Sequence, residues 1–153
     1  MERTFNVSLD WHGVLADDSN NFFPGVVEMV LRLANYIGPE NLYLCCYCGR
    51  RTERTVRRIL AGSPLAAVFG DRLLFTRERT GACGKAARLV EEEILVHVDD
   101  HPAIVDECRQ SGICAIKVND PYHRPRQDGF PSTSAALNFI LTVMTPCRRK
   151  SDM

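Results

Sequence analysis

Two largely apolar runs of strand length each break off in aspartate: TFNVSLD at residues 4–10 and ILVHVDD at residues 94–100. Runs this short and this apolar read as strands covered on both faces, which is the habit of parallel sheets. A carboxylate at the end of such a strand has to emerge where the strand leaves the core. The segments between the runs carry helical spacing, and a parallel neighbour needs a covered crossover of that kind. Strand–helix alternation ending in acids therefore leaves few folds open to the chain.

The alternation holds along the sequence. GVVEMVLRLANYI places Val26, Met29, Val30, Leu33 and Ile37 at helical spacing and stops at Gly38-Pro39. NLYLCCYC is a second strand. RRTERTVRRILAG is a helix with Val56, Ile59 and Leu60 inward and arginines outward, ended by Gly62 and Pro64. DRLLFT is a short third strand. GKAARLVEEE is helical with Ala86, Leu89 and Val90 on one side. HPAIVDECRQSG has proline at its first turn and glycine at its end, the usual helix asymmetry. ICAIKV is a fifth strand, followed by the polar loop NDPYHRPRQDGFP. Ser132 or Ser134 caps a last helix, AALNFILTVM. The expected fold is α/β, a three-layer Rossmann-like parallel sheet with helices on both faces. One core domain is expected over residues 1–146, with 147–153 as a flexible tail.

Bulk properties narrow the function classes. The chain has 153 residues and a formal net charge of zero, so wholesale binding of polyanions is not indicated and only a local basic patch would serve it. No apolar stretch is long enough to span a bilayer. MERTFNVSLD lacks the basic-then-apolar pattern of a secretion signal and reads as the first strand. The seven cysteines are an odd number. Cys45, Cys46, Cys83, Cys108 and Cys114 sit in or near apolar segments and read as buried thiols, which points to a reducing compartment, cytoplasmic or nuclear. Zinc at Cys45, Cys46 and Cys48 lacks a second ligand pair at suitable spacing.

In doubly wound sheets, ligands bind outside the carboxyl ends of the strands. Asp10, Cys46 and Asp99 all fall at such ends. Asp10 with Asp99 and Asp100 makes a hard-oxygen site suited to Mg2+. Lys85 opens the helix before the fourth strand, after the small-residue stretch TGACGK. A carboxylate nucleophile, a lysine and a magnesium pair of acids are the equipment of phosphoryl transfer.

The order strand–Asp10-x-x-Gly13, strand–Cys46, Lys85, strand–Asp99-Asp100 resembles the haloacid dehalogenase-like hydrolase superfamily, from about Phe5 to Val118. Its most specific parts are LDWHGVL and ILVHVDDHP. The family's first motif is Asp-x-Asp-Gly-(Thr/Val), and DWHGV matches it except at the second acid. The resemblance implies a Mg2+-dependent phosphatase. Asp10 would be the nucleophile forming an aspartyl-phosphate, and the main-chain carbonyl of His12 would ligate Mg2+. Asp99 would be a direct metal ligand, Asp100 a direct or water-mediated one, and Lys85 would hold phosphate and nucleophile. His12 stands where the family places its acid/base aspartate. An imidazolium beside Mg2+ is disfavoured, so the acid step is expected to weaken while base-assisted hydrolysis survives. Cys46 stands where the family has a phosphate-binding Ser or Thr; a thiol is the poorer donor, and Tyr47, Cys48 or backbone N–H groups are expected to compensate.

The stretch from Asp10 to Cys46 is filled by one helix and loops and that from Cys46 to Lys85 is likewise accounted for, with no room for the cap domain many relatives carry. An open site suits macromolecular substrates, or small ones closed off by a second subunit in a homo-oligomer. ADDSNNFFP reads as a small flap, with Phe22 and Phe23 as core anchors or a partner contact. His97 reads as a satisfied core residue and His101 as a helix-entry residue. Arg50, Arg51, Arg54, Arg57 and Arg58 form a basic stripe, an ordinary solvated face unless its first residues, Arg50 foremost, draw in an anionic substrate or a nucleic-acid backbone. Three functions follow: a cap-less Mg2+-dependent phosphatase acting on a phosphorylated substrate, a catalytically impaired relative that binds metal, phosphoryl ligand or a protein partner, and a nucleic-acid end-processing phosphatase.

Overall fold

The structure, a computed structural model, describes residues 5–77, 84–119 and 128–144. Residues 80–83 of TGACGK, most of the loop after the fifth strand and the tail at 147–153 lie outside the described residues.

Five strands form one parallel sheet: β1 (Asn6–Leu9), β2 (Leu42–Tyr47), β3 (Leu73–Thr76), β4 (Ile94–Asp99) and β5 (Cys114–Lys117). Their spatial order is β3-β2-β1-β4-β5, so the chain reverses its direction of travel across the sheet between β1 and β4. That reversal opens a crevice at the carboxyl ends of β1 and β4. Helices α1 (Val26–Ile37) and α2 (Arg50–Ala61) bury Val26, Val30, Leu33, Val56 and Leu60 on one face, together with α6 (Thr133–Phe139). Helices α4 (Lys85–Glu91) and α5 (Pro102–Gln110) bury Ala86, Leu89, Ile104, Val105 and Cys108 on the other. Burial on both faces is why the strands read as apolar runs.

The expected elements are present, with differences of detail. A four-residue helix, α3 (Ala66–Phe69), lies in a stretch too short to show a period. Val90 faces solvent, because α4 turns about 100° per residue and Leu89 already occupies the inward position. Ile59 and Met29 are half-buried and pack against the edge of the core. Cys114 is exposed on β5, while Cys45, Cys46 and Cys108 are buried free thiols. Ser132 caps α6 by accepting the Ala135 N–H, and α6 runs on into a π-helical turn over Ile140–Met144. Phe22 and Phe23 pack against the core. Among the described residues no helix is long and apolar enough to cross a membrane.

Candidate active site

Asp10 follows β1 directly, and its N–H donates to Val98 O at 3.0 Å, which keeps the chain in the sheet for one more residue. On β1 and β4 side chains alternate between faces. Val7, Leu9, Val96 and Val98 therefore enter the α1 side, while Ser8, Asp10, His97 and Asp99 share the other. The pairing of Ser8 with His97 brings these four side chains together.

Lys85, at the first turn of α4, is the centre of the cluster. It is 1% exposed, and its Nζ donates to Asp10 Oδ1 at 2.8 Å and to Asp99 Oδ2 at 2.7 Å. Asp99 has more hydrogen-bond partners than Asp10. Its Oδ2 also accepts from His97 Nε2 at 2.8 Å, and its Oδ1 accepts the His101 N–H at 3.0 Å. His97 is fully buried, with its Nδ1 2.6 Å from Ser8 Oγ. Ser8 can donate to Nδ1, so the ring presents a proton to Asp99 from Nε2.

This unequal wiring separates the two buried acids. Burial pushes the Asp99 carboxyl up, but the Lys85 charge and the hydrogen bond from His97 outweigh it and hold Asp99 well below the usual carboxylate range. Burial, with the negative charge of Asp99 beside it, pushes Asp10 up against the pull of Lys85. Burial disfavours the Lys85 ammonium too, yet the Asp10 and Asp99 charges hold it well above the ordinary lysine value. Asp10 is thus the more basic carboxylate, with Lys85 as its one side-chain hydrogen-bond partner among the described residues.

Asp100 completes the acidic group: Asp10, Asp99 and Asp100 each offer an oxygen, all within 4.8 Å of one another. Gly13 makes room for it. At φ +83° a Cβ on Gly13 would lie 2.1 Å from Asp100 Oδ2. Gly13→Ala is therefore expected to cost about 1–3 kcal/mol for the left-handed backbone alone, and more because Asp100 must move. Denaturant unfolding measures it, with Gly62→Ala as a near-neutral control, since an added Cβ there meets nothing closer than 3.7 Å.

The next residues fold back as a flap. Val14, Leu15 and Ala16 N–H all donate to Trp11 O, Phe23 N–H donates to Leu15 O, and Thr133 Oγ1 donates to Val14 O. Trp11 is fully buried and stacks edge-on against Phe22, with ring centroids 5.4 Å apart. Its indole N–H donates to Asn20 Oδ1 at 3.0 Å. Indole can only donate, so the atom of Asn20 it meets is the oxygen. That same oxygen lies 2.8 Å from His12 Nε2, which must therefore also donate. The neutral His12 ring carries its proton on Nε2 and its lone pair on Nδ1.

Asp10, His12, Gly13, Tyr47, Lys85, Asp99 and Asp100 line one cavity of about 180 Å³, together with Asp18, His101 and Ile104. Cys46 does not join them. Its side chain belongs to the core on the opposite face, where it packs with Leu42 and Leu44. Period-two alternation on β2 sends Cys46 one way and Tyr47 the other, so Tyr47, and not the thiol, faces the cavity. Arg50 is exposed at the start of α2 and is not part of the cavity wall. His101 caps α5 by accepting the Ala103 N–H, in keeping with a helix-entry residue. Ser8, Asn20 and the bond from His97 to Asp99 were not anticipated. The signal for the first and last was the i, i+2 spacing Ser8–Asp10 and His97–Asp99 on neighbouring strands.

The donor set fits a hard divalent cation. Three carboxylates against one ammonium leave the site two formal negative charges, and all the ligand atoms are oxygen.

No protein-family model matches the sequence, and no curated protein matches it. Among solved structures, the chain is similar to a haloacid dehalogenase-like family hydrolase from Xanthomonas campestris, with a TM-score of 0.59 and 16% sequence identity. The match covers 85% of this chain and 54% of that one, so this chain spans about half the length of that hydrolase. At this identity the likeness is one of fold: a five-stranded parallel α/β sheet shared with a haloacid dehalogenase-like hydrolase.

Proposed function

We propose that the chain is a haloacid dehalogenase-like hydrolase, a Mg2+-dependent phosphatase that cleaves phosphoric monoesters through Asp10. The observation that carries this reading is the meeting of Asp10, Asp99 and Asp100 within 4.8 Å around buried Lys85, at the crevice where the sheet reverses.

Asp10 is the nucleophile in this reading because it is the more basic carboxylate and faces the cavity. Its oxygen attacks the phosphorus of the ester and the P–O bond to the leaving group breaks, the leaving oxygen departing as an anion that takes its proton from solvent; water then attacks the aspartyl-phosphate, gives up a proton, and releases inorganic phosphate and the free carboxylate. Mg2+, when bound by Asp10, Asp99, Asp100 and the His12 carbonyl, supplies positive charge to the phosphate oxygens. Lys85 keeps Asp10 oriented and adds a second positive charge beside the transferring group. The hydroxyl of Tyr47 takes over the phosphate-binding place that Cys46 leaves. In its neutral form His12 offers a lone pair on Nδ1, which suits accepting the proton of the attacking water rather than protonating the leaving group. Aryl phosphates, whose leaving groups need no protonation, are therefore the favoured small substrates. The flap, α1 and a 3-10 turn at Pro39–Asn41 are all that separates β1 from β2. Among the described residues no further element lies between these strands to cover the site, which suits a phosphate displayed on a large molecule.

The test is turnover of an aryl phosphate with Mg2+ and with EDTA. Release of phosphate in Mg2+ alone supports the reading. Silence in both, with a Mg2+-dependent thermal shift intact, favours the second reading, a relative that binds metal or phosphoryl ligand without turnover; the absence of an acid at His12 is what favours it.

His97 is expected to set metal affinity through Asp99. His97→Leu removes a hydrogen bond to the carboxylate and strands Ser8. A loss of about 10–100-fold in Mg2+ affinity is expected, read as a shifted Mg2+ midpoint in thermal unfolding, with less change in His97→Gln.

A further inference from the structure

The arginines of α2 are arranged against the stability of their own helix. At 100° per residue, Arg50, Arg54, Arg58 and Arg51 occupy a sector of roughly 100°, opposite buried Val56 and Leu60. All four are exposed, and none of their guanidinium groups has an ion-pair or hydrogen-bond partner among the described residues. Arg50–Arg54 and Arg54–Arg58 are like-charge pairs at i, i+4, which weaken a helix. Arg50 and Arg51 stand in the first turn, where the helix dipole already presents positive charge. Acids on the same helix do not relieve this. Glu53, the acid of its first turn, is committed to Arg57 at 2.9 Å and to Arg77, the residue after β3, and Arg57 also lies over the Phe75 ring at 4.9 Å. Local choices that oppose local stability mark functional surfaces.

The helix also starts at the site. Tyr47, 39% exposed and part of the cavity wall, ends β2, and α2 begins three residues later at Arg50. Along α2 the i, i+4 arginines are spaced about 6 Å apart, a regular row of charge suited to a regular row of phosphates. The sector carries no large apolar side chain to insert into a bilayer, as a membrane-surface helix would.

We propose that the outer face of α2 docks the backbone of a single-stranded nucleic acid, whose terminal phosphate then reaches the Asp10 cavity. Tyr47 supplies a ring on which the terminal base can stack. The docking surface stands by itself; the identification of the strand as substrate rests on the phosphatase reading above.

The experiment uses the full chain and a labelled oligothymidylate of about 20 nucleotides, with binding followed by fluorescence anisotropy in EDTA, so that no turnover is needed. Neutralising three or four phosphates predicts a slope of log affinity against log salt of about −2 to −3. Arg51→Gln/Arg54→Gln/Arg58→Gln, which keeps helix propensity, should flatten that slope by about 2 and weaken binding by tenfold or more at low salt, while aryl phosphate turnover is unchanged. For a terminally phosphorylated strand in Mg2+, kcat/KM should fall with salt and in the triple variant. No binding at low salt, or binding that the triple variant leaves intact, overturns the proposal. So does variant-sensitive binding to phosphatidylserine vesicles with none to the strand, which would assign the face to a membrane. Strand binding as expected with no turnover of any phosphate sinks the phosphatase reading and the strand's role as substrate, and leaves the docking face standing.

Discussion

Asp10→Asn should remove Mg2+-dependent turnover of an aryl phosphate, by a factor of about 10³ or more, with little loss of fold. The amide keeps the shape of the carboxylate and can still accept from Lys85 Nζ, so the 2.8 Å contact survives. It lacks the charge that attacks phosphorus. Burial and Asp99 already push Asp10 up, so replacing it with a neutral group relieves repulsion as well as removing an anion. The variant should therefore melt at or near the native temperature. Collapse of the fold together with activity would mean that Asp10 is structural, and full turnover in Asp10→Asn would place the nucleophile elsewhere. His12→Asp provides the companion measurement. Because the neutral His12 ring presents a lone pair and no proton at Nδ1, the native chain should hydrolyse aryl phosphates in strong preference to alkyl phosphates. An acid at position 12 should narrow that preference by raising the alkyl rate. An unchanged ratio would show that residue 12 does not meet the leaving group.

Much of this arrangement was legible because it is written in strand ends. The acids at Asp10, Asp99 and Asp100 could be placed from where two apolar runs stop, and the doubly wound sheet follows from strands separated by helical spacing. What the linear pattern concealed was direction. Cys46 and Tyr47 are adjacent, and a one-residue difference in pleat decides which of them reaches the cavity. Val90 satisfied an apolar count on α4, but a seven-residue helix has room for few inward positions. The flap was harder still. Asn20 joins Trp11 and His12 by a side-chain bridge that depends on its left-handed backbone, φ +63°, and no spacing rule announces such a bond. Lys85 was recognised by position, yet its place between two buried carboxylates is a tertiary fact that only the packing of α4 on the sheet creates.

Lys85→Met should be the most destabilising substitution in the site, and its cost should depend on metal and pH in opposite ways from the native chain. The methionine fills the volume of the lysine stem but leaves Asp10 and Asp99 buried without their shared cation. Breaking a buried ion pair on one side costs about 3–5 kcal/mol. In EDTA at neutral pH the variant should unfold at much lower denaturant, and Mg2+ should restore part of the difference, because a divalent cation compensates the same two charges. The native chain should respond to acid in the ordinary direction at this locus. Asp99 is held below its unfolded value, so its contribution is present above the unfolded pKa near 3.8 and is lost as pH falls towards the lower folded one. Lys85, held well above 10.5, contributes below that value and loses its contribution only as pH rises through the folded one. Without the ammonium Asp10, already pushed up by burial and by Asp99, loses the chief pull that opposes them. A buried carboxylate with no cation is raised above its unfolded value, so the folded variant takes up the extra proton and gains stability relative to the native chain as pH falls from 7 towards 5. Denaturant unfolding of both chains at those two pH values, with EDTA and with Mg2+, makes the comparison. A deficit that stays constant across pH and metal would mean that Lys85 acts by packing alone; a deficit that shrinks with acid and with Mg2+ identifies it as the counter-charge that lets two carboxylates share one buried site.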